Sequence, residues 1–167
     1  MNLTKVERLL IVNQFKILEN LYPDEAKYYA QQRKAVEYGY TLHYEDVFDA
    51  LYNEMSQSDC QEVLDILSMY RALTFSYQAL SNKKGIEEDN IRFEGFDGNE
   101  ETSQYLYAKY FILDLERFDE LTYGEKHPEF NSHAPKLRRY REMLAVWRSY
   151  TDNHNLNKEQ IINILRM

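Results

Sequence analysis

Apolar residues recur at every third or fourth position along most of this chain, which is the spacing of one face of an α-helix. Four long stretches contain neither glycine nor proline: 1–22, 40–84, 99–123 and 136–167. Because glycine and proline often mark the ends of helices, this pattern predicts an all-α protein of about six helices. We expect the helices to form one compact unit or two small helical subdomains, 1–83 and 99–167, joined by an irregular segment, 84–98.

Four polar residues stand where helix N-caps are expected: Thr4, Ser58, Asp97 and Asn157. Each is followed three positions later by Glu or Gln, the spacing at which cap and third residue can bond each other's backbone N–H groups. A helix is predicted to begin after each cap, and the one after Asp97 is expected to run from about 99 to 122. Pro135 is expected as the first residue of a further helix that ends near Tyr150.

The first predicted helix begins at the Thr4 cap and ends at Pro23. It carries a stripe of apolar residues at helical spacing: Leu3, Val6, Leu10 and Ile17. Residues at this spacing share one face of a helix, which supports the predicted helix.

The helix predicted after Asp97 has an unusual apolar pattern. Nine of the eleven residues from Tyr105 to Leu115 are apolar or aromatic. A helix that is apolar on nearly every side is expected to lie centrally in the fold or against another subunit. Lys109 and Asp114 interrupt the run, and we expect each to be buried and paired with an opposite charge or a helix end.

Composition and charge restrict the class of protein. The chain is 44% hydrophobic and 29% charged, which is typical of a folded globular protein. Its net charge of −8 disfavours nonspecific binding to nucleic acid. No window reaches the ~18 apolar residues of a membrane span, and the charged start does not resemble a signal peptide. A single cysteine, Cys60, excludes an intrachain disulfide, and together these features predict a cytoplasmic protein.

Several short motifs along the chain match one pattern: Asn13-Gln14-x-Lys16, Met69-Tyr70-x-Ala72-Leu73, Phe93-x-Gly95-Phe96-Asp97, Phe130-Asn131 and Met143-Leu144-x-Val146-Trp147. With these motifs the chain resembles the YfbU-like family of uncharacterised bacterial proteins, as a single domain over 1–167. The resemblance implies an all-helical fold and a tendency to self-associate. It brings no established reaction, and therefore no catalytic residue and no cofactor.

The most enzyme-like feature is an acidic run, Asp114-x-Glu116-x-x-Asp119. Carboxylates three or four positions apart share a helix face and could hold Mg²⁺ together. A second face of this kind is Asp59-x-x-Glu62-x-x-Asp65. A site for a hard cation needs several converging oxygens, so a solvated acidic face is the favoured interpretation and no metal is assigned.

The basic helix predicted after Pro135 is the one feature that resembles a nucleic-acid interface. Arg141 and Arg148 fall on one of its faces with Arg138 beside them, and a free basic stripe could bind an anion or a partner. The preceding segment, 84–125, carries 12 acids and 4 bases. Ion pairing with that segment, within the chain or between subunits, is therefore favoured.

Three classes of function stay open on the sequence alone. The aromatic content of 14% and the apolar run at 105–115 favour a non-enzymatic, self-associating helical protein, most simply a dimer. The second class is a metal-dependent hydrolase of nucleotides or similar phosphates, and the third is a nucleic-acid-binding regulator. The absence of a nucleophile or phosphate-binding motif weakens the second class, and a pI of about 5.1 weakens the third.

Overall fold

The computed structural model describes residues 2–125 and 128–167 of the chain. In these residues the chain forms seven α-helices: α1 (Lys5–Leu21), α2 (Ala26–Tyr38), α3 (Tyr44–Phe48), α4 (Gln57–Ala79), α5 (Thr102–Lys109), α6 (Leu137–Arg148) and α7 (Lys158–Leu165). The same residues contain no β-strand, and a single bridge joins Phe96 to Asn131. The predicted all-α class is confirmed.

The chain divides into two compact units, Met1–Glu54 and Met55–Met167. This division falls before α4, whereas the subdomains considered in the sequence analysis would meet at 84–98. The reason is that the buried face of α4 belongs to the same core as α5, α6 and α7. The segment 84–98 is irregular, as predicted, but its apolar residues are part of that core.

In the first unit, α1 and α2 form a helical hairpin joined by the short turn Pro23–Glu25. The unit buries a small core: Val12, Val36 and Tyr44. The Arg8 guanidinium of α1 donates hydrogen bonds of 2.7 Å to the carbonyl oxygens of Val36 and Glu37. The last carbonyls of a helix have no partner within it, so this cation stabilises the end of α2.

In the second unit, α4 is the central element and contacts α5, α6, α7 and the turn Asp119–Thr122. Its buried apolar residues have the predicted helical spacing: Val63, Ile66, Leu67, Tyr70, Leu73 and Tyr77. The rings of Phe93 and Tyr140 each lie 5.3 Å from the ring of Tyr70, centroid to centroid. This aromatic contact ties the irregular segment and α6 to the middle of α4.

The helix caps agree with the predictions at the two ends of the chain and differ at α4. Thr4 caps α1 and Asn157 caps α7, each in a reciprocal capping box. The cap of α4 is Ser56 and not Ser58, because Ser56 has the extended backbone of a cap and its hydroxyl accepts a hydrogen bond from the Asp59 N–H. Ser58 lies in the first turn of the helix.

The long helix predicted over 99–122 is wrong. The α-helix is only Thr102–Lys109, and a π-helical turn, Tyr110–Asp114, ends it. Glu116 and Phe118 have positive φ angles of 52° and 57°, so the backbone cannot continue as a right-handed helix after the π turn. Because this segment is not a central helix, the run 105–115 is buried on one side only.

Two helix starts also differ from the predictions. Asp97 accepts hydrogen bonds from the N–H groups of Asn99 and Glu100, but it stabilises a turn that precedes α5 and is not the cap of the helix itself. Pro135 lies before Lys136, which caps α6, so it is outside the helix and not its first residue. Both residues lie shortly before a helix: Asp97 is five positions before the first residue of α5, and Pro135 is two positions before the first residue of α6.

Candidate functional site

The acidic residues considered for a metal site do not converge in the structure. Asp114 lies in the π turn, Glu116 in the loop after it and Asp119 in the next short turn, and all three are exposed. They share no helix face because the helix ends before Glu116. Over 2–125 and 128–167, no group of three or more His, Cys, Asp or Glu side chains is placed to hold a metal ion.

Asp114 differs from what the sequence predicts, whereas Lys109 is in one of the environments expected for it. Asp114 is exposed, so the expected burial of its carboxylate is wrong. Lys109 is half-buried, and its ammonium group donates a 3.1 Å hydrogen bond to the Tyr105 hydroxyl and lies 5.1 Å from the centre of that ring. Lys109 is also the last residue of α5, so it lies at a helix end, which is one of the two environments expected for it, and an aromatic ring lies beside it.

Two histidines, His127 and His133, occur in the loop before α6, and histidine is a common metal ligand. His127 is outside the residues that the structure describes. The backbone N–H of His133 donates a 3.0 Å hydrogen bond to the Asn131 Oδ1, which stabilises the loop locally. Cys60 is half-buried in the first turn of α4 and is reduced.

The arginines of α6 form ion pairs, but with a different partner from the predicted one. Arg141 makes two hydrogen bonds of 2.8 Å to the Glu62 carboxylate, and Arg148 pairs with Asp65. Arg138 pairs with Glu142 on its own helix. The acidic partners across the interface come from α4 and not from 84–125, because α6 packs along α4.

These ion pairs explain both the basic face of α6 and the acidic face of α4. The hydrogen bonds that the Arg141 guanidinium donates to the Glu62 carboxylate raise the pKa of Arg141 above its ordinary value. Glu62 and Asp65, which the sequence analysis considered as a second metal-binding face, are the partners of Arg141 and Arg148. The basic face and the acidic face therefore stabilise the packing of α6 on α4.

The motif Phe-x-Gly-Phe-Asp forms a structural junction in the second unit. Gly95 has φ of +91°, and its carbonyl accepts a 2.9 Å hydrogen bond from the buried Tyr140 hydroxyl. Phe96 bonds through both of its backbone polar groups, donating to the Phe130 carbonyl and accepting from the Ser132 N–H at 3.1 Å each. The motif residues thus connect the irregular segment, the loop before α6 and α6 itself.

A buried carboxylate completes this junction. Glu101 accepts a 2.7 Å hydrogen bond from the N–H of Leu137, the first residue of α6, and a 3.1 Å bond from the N–H of Asp97. A negative charge at a helix N-terminus is stabilised by the unpaired N–H groups there. Both of its oxygens are engaged with the backbone, so the role that its contacts support is structural.

Beside the junction is an open cavity of about 560 Å³, with Phe93, Tyr123 and Phe130 in its lining and Arg92 among the charged residues at its rim. The Tyr123 hydroxyl accepts a 3.1 Å hydrogen bond from the Phe93 N–H and lies 3.3 Å from the Ile91 carbonyl oxygen. Burial raises the pKa of Tyr123. A phenol with a raised pKa and backbone partners is poorly suited to proton transfer near neutral pH, so Tyr123 is not an evident catalytic acid or base.

The most distinctive surface of the first unit is the apolar stripe of α1. We use this name for five aliphatic residues that are between 50% and 68% exposed: Val6, Leu9, Leu10, Ile17 and Leu21. Val6, Leu10, Ile17 and Leu21 lie on the side of the helix away from Val12, which faces the small core, and Leu9 lies between that side and Val12. Single exposed aliphatic residues are common on proteins, but five on one helix are typical of a contact surface.

Most of the stripe that the sequence places on one face of α1 is therefore in solvent. Val6, Leu10 and Ile17 are exposed, whereas Val12 is buried and Phe15 is half-buried against the core. A signal for this was present, since nine of the seventeen residues of α1 are apolar. That number exceeds the three in seven positions of one core-facing stripe, so α1 has two apolar faces.

A second apolar surface lies in the other unit, on α5 and the π turn. Ala108 and Ile112 are buried, and on the outer side four residues are 37% to 48% exposed: Leu106, Tyr110, Leu113 and Leu115. The run 105–115 therefore has one face in the core and one face in solvent. The outer face of this run is therefore available for the predicted contact with another subunit, although its residues are less exposed than those of the apolar stripe of α1.

The fold and these surfaces define an all-α protein whose exposed apolar faces are more distinctive than any cluster of polar groups. The family model of the YfbU domain matches residues 1–167, and the chain belongs to this family. A relative from Methanocaldococcus jannaschii, UPF0304 protein MJECS11, is 35% identical over 167 residues, which cover 98% of each chain. The sequence resemblance suggested a bacterial family. This relative is archaeal, so the family is not confined to bacteria. No helix in the described part of the chain is long and apolar enough to cross a membrane.

Proposed function

We propose that the protein is a non-enzymatic helical protein that self-associates, most simply as a dimer, and acts through protein–protein contacts. The observation that carries this proposal is the apolar stripe of α1, which has five aliphatic side chains in solvent. Full burial of one such side chain contributes ~1.5–3 kcal/mol. Covering the stripe would therefore contribute on the order of 5 kcal/mol, which is enough to matter for association.

Two other classes of function have weaker support. A metal-dependent hydrolase of phosphates needs converging carboxylates, and Asp114, Glu116 and Asp119 lie apart and exposed. A nucleic-acid-binding regulator needs free cations, and Arg141 and Arg148 are paired with α4. The features that suggested these classes thus have structural partners or no common site.

A cytoplasmic location is part of the proposal. Cys60 is a free thiol, which suits a reducing compartment. A protein with an exposed apolar stripe also benefits from a partner in a crowded solution, since an uncovered stripe would promote aggregation.

Sedimentation velocity and light scattering of the full chain at micromolar concentration test self-association. We expect a species of about twice the chain mass of 20.1 kDa. Because the proposed contact is mainly apolar, raising the salt concentration from 0.1 to 0.5 M should weaken it only slightly. A single species of chain mass across the micromolar range would contradict the proposal.

A further inference from the structure

We infer that two copies of this chain pair through α1 in antiparallel orientation, about a two-fold axis that passes between Asn13 and Gln14. The inference rests on the proposed self-association and adds the surface, the direction and the register of the contact. The partner is a second copy because the exposed face of α1 is complementary to itself when its direction is reversed.

The exposed positions have the spacing of a helix-pairing seam. Val6, Leu10, Asn13 and Ile17 follow one another at intervals of four, three and four residues. Alternating steps of three and four keep a row of side chains on one face of a helix, as in coiled coils. All four side chains are exposed, and the opposite face of α1 is the one that packs on the unit's core.

The exposed face of α1 has the same order of residue types in both directions from its centre. With the axis between Asn13 and Gln14, Val6 of one copy faces Leu21 of the other. The next pair inward is Leu10 with Ile17, and the central pair is Asn13 with Gln14. A two-fold contact requires this kind of self-complementary patch. Aliphatic side chains then meet aliphatic side chains, and each amide meets an amide that can satisfy its hydrogen bonds.

Antiparallel pairing also has electrostatic and geometric support. It brings the N-terminal end of each α1 beside the C-terminal end of the other, so the two helix dipoles attract. A polar pair at the centre of an apolar seam fixes the register, because any shift would place an amide against an aliphatic residue. The fifteen residue steps from Val6 to Leu21 span ~22 Å, which suits a short helix pair.

The size of this contact sets the expected affinity. A single helix pair of this length buries less than the ~800 Å² per partner of a standard interface. We therefore expect a dissociation constant in the micromolar range and not a permanent dimer.

Cysteine cross-linking of the full chain tests the register. In a Cys60→Ser background, Asn13→Cys places a thiol next to the axis, so the two thiols of a dimer lie close together. Val6→Cys places them ~22 Å apart, which is beyond the reach of a disulfide. We expect mild oxidation to give a covalent dimer with Asn13→Cys at least tenfold faster than with Val6→Cys.

The possible outcomes separate this inference from the proposed function. Equal cross-linking of both variants would indicate a parallel or nonspecific contact and overturn the inference. A dimer in light scattering with no cross-linking at Asn13 would place the interface elsewhere, such as the α5 surface, and overturn the inference while self-association stands. A monomer would overturn both, and would leave the stripe to another kind of partner.

A matched pair of charge substitutions gives a second measurement. Leu10→Glu puts a charge in the seam, and Leu42→Glu puts the same charge at an 85% exposed position off α1 in the same unit. We expect Leu10→Glu to raise the dimer dissociation constant at least tenfold and Leu42→Glu to leave it within twofold. Far-UV circular dichroism of both variants checks that the helices remain. Equal effects of the two substitutions would overturn the inference.

Discussion

Gly95 lies directly against the backbone of Phe130. A Cβ added to Gly95 would overlap the Phe130 carbonyl oxygen and come within 2.7 Å of the Phe130 Cα. The Gly95 φ angle of +91° is also one that residues with a Cβ rarely adopt. This close approach allows Phe96 to bond to Phe130 and Ser132 through its backbone, so the junction of the second unit depends on the absence of a side chain at Gly95.

We therefore expect Gly95→Ala to destabilise the fold by more than ~3 kcal/mol, since steric overlap adds to backbone strain. Gly85→Ala is the matched control, because Gly85 has φ of +86° and no atom within 4 Å of the added Cβ. It should cost only ~1 kcal/mol, the part due to backbone conformation. Urea unfolding of both variants measures the difference. Equal losses would show that the contact with Phe130 is unimportant.

The Glu101 carboxylate should contribute to stability through the start of α6. Glu101→Gln keeps the shape but removes the charge and one of the two acceptors, which leaves the N–H of Leu137 or Asp97 poorly paired. We expect a loss of ~2 kcal/mol in the free energy of unfolding. Glu100→Gln at the neighbouring exposed position should change it by less than ~0.5 kcal/mol. A loss at Glu100 as large as that at Glu101 would contradict the structural role of the buried carboxylate.

The stability of the protein should fall at alkaline pH because of buried tyrosines. Burial disfavours the phenolate and raises the pKa of Tyr70 and of Tyr140 above the usual value of about 10. The unfolded chain therefore releases these protons first, so their contribution is full below pH ~10 and is lost as the pH rises above it. Each such group should lower the free energy of unfolding by ~1.4 kcal/mol per pH unit.

Tyr70→Phe tests this dependence, since it removes one ionisable group and keeps the ring that packs on Phe93. Between about pH 10 and 11, its stability should fall less steeply than that of the unmodified chain, by ~1.4 kcal/mol per pH unit. The exposed Tyr52→Phe is the control and should leave the slope unchanged. Urea midpoints over a pH series give the slopes, and the same slope for all three proteins would contradict the prediction.

The ion pair between Arg141 and Glu62 should make a small, salt-dependent contribution to the packing of α6 on α4. Its geometry is bidentate, but the Arg141 side chain is about half exposed, so Arg141→Ala should cost ~0.5–1 kcal/mol. Arg138→Ala removes a pair within one helix whose arginine is 93% exposed, and should have no measurable effect. Thermal unfolding at low and high salt distinguishes the two, and an Arg141 effect that does not shrink in salt would contradict an electrostatic cause.

The sequence predicted the elements that depend on neighbouring residues. Thr4 and Asn157 cap helices because their partners lie three positions away in the same chain segment. The buried face of α4 is visible in the sequence for the same reason, since its apolar residues recur with a 3.6-residue period along one continuous helix. The start of α4 was predicted two positions late, because Ser56 and Ser58 offer the same hydroxyl and only the backbone conformation selects one.

The candidate sites were predicted less well, because they depend on contacts between distant residues. Arg141 and Glu62 are 79 positions apart, so their pairing follows from the packing of α6 along α4 and from nothing local in either helix. The acidic run at 114–119 looked like a shared helix face, and the chain turn after the π-helical segment separates its members.

The sequence by itself determined the all-α class, the two reciprocal caps and the presence of more apolar residues in α1 than one face can hold. These properties follow from local hydrogen bonding and helical periodicity. Only the tertiary structure decided which apolar face of α1 is buried. Val12 and Phe15 pack in the first unit's core, and Val6, Leu10 and Ile17 are left in solvent. The reason is physical: both faces of α1 have similar hydrophobicity, and the position of α2 and of Tyr44 selects between them.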